Sequence, residues 1–127
     1  LNTRGTPSSV DALDEHNIIL YGERSELVNV APLNWLETLG TKDNERRKPV
    51  LKVNNITGVM RAAESGLGLA VLPDYLANPH PKLVRILPEA EGPGYDFYFV
   101  YAEEMRKSKR INVFRDFLVR KVQETVF

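Results

Sequence analysis

Between residues 50 and 72 the apolar positions change period twice. Val50, Leu51 and Val53 form a short β-prone run, PVLKV. Ile56, Val59, Met60, Ala63 and Leu67 then recur at helical spacing, which predicts a strand followed by a helix with one inward face. Asn54 or Asn55 is the natural N-cap. Gly66 suits the left-handed position past the helix end, where a residue without Cβ carries no steric cost. Leu69, Ala70, Val71 and Leu72 are continuously apolar, the signature of a strand covered on both faces. Strand, helix and strand are read as one right-handed βαβ unit of a parallel sheet.

The flanks are less regular. Ser9 can cap a short helix in VDALDEH, ended by His16 and Asn17. Ile18, Ile19, Leu20 and Tyr21 make a short buried strand that Gly22 stops. VNVAPLNWLETLG reads as a loop and a helix, with Pro32 in its first turn and Gly40 just past its end. Residues 41 to 48, TKDNERRK, read as a charged surface loop. Beyond the central unit, Pro73 opens a short helix, PDYLAN, and KLVRIL is expected to form another strand. DFYFVYA, residues 96 to 102, is strongly β-prone with aromatics on both faces, which suggests a central strand. Ser108 then caps a long helix whose stripe is Ile111, Phe114, Phe117 or Leu118, and Val122.

Composition narrows the classes. The 127 residues suffice for one domain with a real core. Lys+Arg and Asp+Glu both number 17, so the basic excess of a free-standing nucleic-acid binder is missing. The densest basic cluster, Arg106, Lys107, Lys109 and Arg110, reads as the solvated start of the last helix. There is no cysteine, hence no disulfide framework and no thiolate metal site, which fits a reducing cytoplasm. No apolar run reaches the ~20 residues of a membrane span. The chain starts at Leu1 without Met and is read as a piece of a longer protein.

Gly66 and Gly68 invite comparison with a dinucleotide loop. Such a loop opens a helix after a strand, so that helix amides face the phosphates. Here the glycines close a helix and open a strand, and the helix carbonyl end faces them, which disfavours an anion. The other end of that helix is the better candidate. Asn54, Asn55, Ile56 and Thr57 lie where PVLKV hands over to the helix, at the carboxyl edge where open α/β sheets bind ligands. The competing reading is that the asparagines only cap the helix and Thr57 only fills its first turn. Leu72 and Pro73 end the neighbouring strand and can wall the same cleft, as can Tyr21 and Gly22 if the strand NIILY belongs to the same sheet. Tyr21 can equally be a half-buried aromatic with a polar handle.

Catalysis has no constellation to stand on. His16 and His80 lack metal-ligand spacing, so no metal or cofactor is expected. Nucleophile motifs are missing, and the Asp14-Glu15 and Glu103-Glu104 pairs are sequence neighbours that diverge. Trp35 reads as core. The chain is expected not to be an enzyme.

RAAESGLGLAVLPDYLA, then KLVRILPE, then DFYFVYAEEMRKSKRINVFRDFLVRKV, resembles the C-terminal half of LysR-type transcriptional regulators. RGTPSSVDALDEHNII is similar to that family's approach to its second regulatory subdomain. The resemblance spans nearly the whole chain, and its specificity lies in the order and spacing of degenerate pieces. It implies an α/β fold like type II periplasmic binding proteins, a parallel or mixed sheet flanked by helices. Residues 11–94 would be one complete subdomain, and 95–127 a crossover strand and helix of the other. It further implies a bacterial, cytoplasmic ligand-sensing domain, in a homodimer or higher oligomer, that binds a small effector, often an anion, between subdomains. By position the cleft residues would be those starting the NNITG helix, with Leu72, Pro73 and the end of NIILY. DNA would be met only through a winged helix-turn-helix domain that this chain lacks. A solute-binding module of a transport system is the rival reading, and a helix-turn-helix upstream would discriminate.

Overall fold

Strand β1, Ile19–Tyr21, and strand β2, Leu51–Val53, lie side by side and parallel, pairing Ile19 with Leu51, Leu20 with Lys52 and Tyr21 with Val53. The computed structural model of the chain describes residues 5–22, 33–42, 45–94 and 98–124. By internal packing the chain divides into two units, Leu1–Gly94 and Tyr95–Phe127.

In the first unit everything is arranged around β1. Ile18, Ile19 and Leu20 are all buried, so this strand is covered on both faces. Successive side chains alternate between faces. Ile18 and Leu20 cluster with Leu13, Leu36 and Leu69 on one face. On the other, helix α1, Ile56–Glu64, packs against both strands and buries Val59 and Met60. Gly58 lets its first turn come close to β2, because a Cβ there would stand 2.6 Å from Val53 Cγ1. The first face is roofed by two 3-10 helices, Asp11–Glu15 and Trp35–Glu37, which contribute Leu13 and Leu36. Ser9 does cap locally, its hydroxyl accepting from Ala12 N at 3.3 Å.

Several expected elements take another form. The apolar run after Gly68 pairs with β1 only at Leu69, opposite Ile18. Leu69 N donates to Asn17 O and Leu69 O accepts from Ile19 N, both at 2.8 Å. Carried two residues further, that register would bring Val71 O to Tyr21 N. Asn34 Oδ1 holds that amide instead, at 2.9 Å, and residues 70–72 form no strand. β2 and the Leu69 bridge therefore flank β1 rather than each other. Leu67, expected inward, is 41% exposed, because the helix has ended at Glu64 and Gly66 has turned the chain at φ +80°.

Of the loop and helix expected over residues 28–40, the described residues show a 3-10 turn over Trp35–Glu37 rather than an α-helix, and Pro32 lies outside the described residues. Its carbonyl end is closed by Arg47, a member of the expected surface loop whose side chain is only 8% exposed. Arg47 Nη1 donates to Leu39 O at 2.7 Å and Leu36 O at 3.1 Å, and its Nε donates to Asp14 at 2.6 Å. A guanidinium satisfies several carbonyls that a one-turn helix cannot bond itself.

KLVRIL is not a strand. Prolines at 81 and 88 limit its ladder bonds, and Leu87 turns at φ +48°. Ile86 and Leu87 pack onto the Leu13 cluster instead. Helix α2, Asp74–Ala77, forms after Pro73 as expected.

In the second unit, residues 98–102 are not in a strand, and Asp96 and Phe97 lie outside the described residues. Tyr98 is 79% exposed and Val100 83%. Strand propensity reports fit to a packed pleated surface, and among the described residues this unit holds no strand to pair with. Phe99 meets Tyr101 and Phe114 at centroid distances of 5.5 and 5.7 Å. Helix α3, Lys109–Glu124, buries no residue, and Phe114, Phe117 and Val122 of its apolar stripe are exposed.

The far end of α1 is tied to the α2 loop by one carboxylate. His80 Nδ1 donates to Glu64 Oε1 at 2.7 Å and Arg61 Nη1 to Oε2 at 2.8 Å. Burial acts to raise the Glu64 pKa, but the hydrogen bonds and charges of Arg61 and His80 outweigh it and hold it below the ordinary 4.5. A carboxyl lowered by folding stabilises above its unfolded pKa and loses that contribution as pH falls through the folded value. The stability advantage of the wild type over Glu64→Gln should therefore shrink as pH drops below 4.5, in urea unfolding series between about pH 5.5 and 3. Gly68→Ala addresses the bridge, since its Cβ would stand 2.5 Å from Asn17 O. It should destabilise by about 1–3 kcal/mol in the same assay at neutral pH, with Gly66→Ala, where no atom lies within 4 Å but φ is +80°, as the purely conformational comparison.

Candidate ligand-binding edge of the sheet

Two parallel strands must end at the same edge, and β1 and β2 do so at Tyr21-Gly22 and Val53-Asn54. Gly22 N donates to Val53 O at 2.7 Å, one bond past the last paired residues. Gly22 then turns at φ +52°, with the Asn54 Cα 3.6 Å from where its Cβ would be. A backbone conformation that L side chains rarely adopt and a close neighbour together favour glycine here.

Asn55, with extended dihedrals of φ −143° and ψ 123°, starts α1. Its Oδ1 accepts from Thr57 N at 2.9 Å and Gly58 N at 3.3 Å. The capping reading thus holds for Asn55, and two of the amides that an anion would seek already have a partner. An anion at this helix end would work with the remaining first-turn amide, the partial positive charge of the helix start, and the side chains around it. Asn54, Asn55 and Thr57 are exposed and Ile56 is half-buried. Lys52 of β2 is exposed nearby in sequence, and no acidic residue stands in the first turn of α1.

Six of the eight candidates, Tyr21, Gly22, Asn54, Asn55, Ile56 and Thr57, are therefore carried by the ends of two hydrogen-bonded strands and the helix start that follows. Leu72 and Pro73 are half-buried and belong to the unpaired stretch beyond Leu69. Leu72 stands three residues past the bridge, as Tyr21 stands three past Ile18, and Pro73 caps α2. Chemically the set offers amides, carboxamides and a hydroxyl, with the Tyr21 phenol the one ionisable group. That suits binding by hydrogen bonds and not proton transfer, which needs a titratable acid or base placed at the reacting atom.

Asn34 is the residue that sequence reasoning passed over. It sits at the N-cap position of the 3-10 helix, but its side chain makes no cap bond there. Its side chain reaches across to β1, accepting from Tyr21 N and donating to Tyr21 O, each at 2.9 Å. An asparagine before a short helix signals a cap, and nothing local announces a cross-chain partner. Gly92 was also silent: a Cβ there would run into the Trp35 indole nitrogen, so the backbone at Gly92 lies against that ring.

Among the described residues no cluster of three or more His, Asp or Glu could hold a metal ion, and no helix is long and apolar enough to cross a membrane. A shallow depression on α3, lined by Val113, Phe114, Asp116, Phe117 and Arg120, contains none of the eight candidates.

Against known proteins, a family model described as the LysR substrate binding domain matches residues 2–123. The chain is also similar to a Haemophilus influenzae protein described as an uncharacterized HTH-type transcriptional regulator, at 32% identity over 108 residues. That alignment covers 80% of this chain and 35% of the relative, so the chain spans about a third of that protein's length. No solved structure matches. With a match that runs over nearly all of its residues, the chain belongs to the LysR substrate-binding domain family.

Proposed function

We propose that this domain senses a small anionic effector at the edge formed by Tyr21-Gly22, Asn54 to Thr57 and Leu72-Pro73, as part of a LysR-type transcriptional regulator. The observation that carries the reading is the convergence of two parallel strand ends and the start of α1 on one edge. That is where open α/β sheets place ligands. The chemistry there is neutral and donor-rich, which suits a carboxylate or phosphate more than a cation.

In this reading residues 11–94 form one regulatory subdomain, and residues 95–127 contribute helix α3 to a second, with the aromatic run before it becoming a strand only where that subdomain offers one to pair with. The effector binds in the cleft between subdomains better in one of their arrangements. It shifts the population towards that arrangement only by as much as its affinities for the two differ. The shift passes through a cytoplasmic dimer to separate DNA-binding domains, where it alters operator contact.

The test is a thermal-shift screen of small carboxylic and phosphorylated acids against the full-length regulator, followed by titration of any stabilising compound. Asn54→Ala and Thr57→Val should each raise its Kd about tenfold, ~1.4 kcal/mol, with Tm unchanged. Asn55→Ala should also lower stability, by about 0.5–2 kcal/mol, because it removes the helix cap. Unchanged affinity in all three variants would remove the site from this edge. Silence across the screen would remove the anion from the reading.

A further inference from the structure

A carboxamide presents a donor and an acceptor side by side, as a strand residue does to its neighbour. Asn34 uses both on one residue, Tyr21, at 2.9 Å each. The pairing also fixes the orientation of the amide, since the reversed one would set donor against donor. Asn34 thus stands where the next strand would have paired with β1, had the bridge at Leu69 continued.

The effect falls on a single peptide group. The carbonyl of the Tyr21-Gly22 peptide accepts from Asn34 Nδ2. The N–H of the same peptide donates to Val53 O at 2.7 Å. One plane is held at both polar ends, from opposite sides of β1, immediately before Gly22 turns at φ +52° against Asn54. Rotation of that plane would move Gly22 relative to Asn54 and to the start of α1. Both bonds to Asn34 are part-buried, and a buried peptide group deprived of a partner does not hold its orientation cheaply.

We infer that Asn34 is a positioning residue of the ligand edge: its donor–acceptor pair aligns the Tyr21-Gly22 peptide so that Gly22 and the Asn54-Asn55 turn face a ligand together. The inference rests on the ligand edge proposed above. It separates the role of Asn34 from bulk, because aspartate has the same shape and the wrong pattern. Ionised, it accepts from Tyr21 N but turns a second acceptor towards Tyr21 O. Protonated, it again offers one donor and one acceptor.

The experiment uses the full-length regulator that carries these residues, 15N-labelled, as wild type, Asn34→Asp and Asn34→Ala, with acetate and inorganic phosphate as probes. The wild type should show probe-dependent shifts at the amides of Gly22 and Asn54 to Gly58. At neutral pH both variants should bind the probes about tenfold more weakly and exchange the Tyr21 and Gly22 amides faster. Ile19 and Val50, bonded further back along β1, should keep their protection. On acidification the Gly22 signal of Asn34→Asp should return towards its wild-type position as the substituted carboxyl protonates, near its ordinary pKa of about 3.9, whereas Asn34→Ala should not recover. A wild type silent to both probes overturns the ligand edge and this inference with it. A responsive wild type matched by Asn34→Asp, or a Gly22 signal blind to that protonation, overturns this inference alone. Loss of the dispersed spectrum in both variants also overturns it, since Asn34 would then serve the fold rather than the edge.

Discussion

The main chain of β1 must find partners on both sides while its side chains are buried on both faces. Few segments of a small domain carry that double demand, because a buried peptide group without a partner costs about 1–3 kcal/mol. The even residues turn their polar groups to β2, seen in Val50 N to Ile18 O and Gly22 N to Val53 O. The odd ones turn the other way, Ile19 to Leu69 and Tyr21 to Asn34. Three different chain segments thus meet a strand of three residues. The apolar cluster around Leu13, Ile18, Leu20, Leu36 and Leu69 forms where those segments have already been brought together.

Side chains take over where regular structure stops. Asn34 substitutes for a strand, and Arg47 substitutes for the next turn of a helix that is only one turn long. Glu64 joins the end of α1 to the α2 loop through His80. Arg47 is the most buried charge among these, and its pairing with Asp14 and two carbonyls supplies the partners a desolvated guanidinium requires. These contacts explain how a chain with little strand in its described residues still ties the 3-10 helix Trp35–Glu37 and the α2 loop to their neighbours.

The second unit rests on different ground. Its helix has an apolar stripe, yet Phe114, Phe117 and Val122 stay exposed, as do Tyr98, Phe99 and Val100 before it. Hydrophobic pattern alone cannot select a partner, and amphipathic helices draw most of their stability from packing. The aromatic run was legible as β-prone, but a strand also needs another strand.

What the sequence determined by itself is local. Helical spacing from Ile56, the cap at Asn54 or Asn55, and the left-handed turn at Gly66 follow from side-chain period and backbone sterics within a few residues. Parallel strands deliver their ends to one edge, so the common location of Tyr21, Gly22, Asn54 and Asn55 was legible only on the condition that NIILY joins that sheet, and the pairing of β1 with β2 met it. Only the tertiary structure decided which partner each polar group takes. It gave the ladder position beside Tyr21 to Asn34, leaving the run from Ala70 to Leu72 outside the sheet, and it turned Arg47 inward from a charged loop. Hydrogen bonds of that kind join residues 13 to 33 positions apart, and no local propensity carries that information.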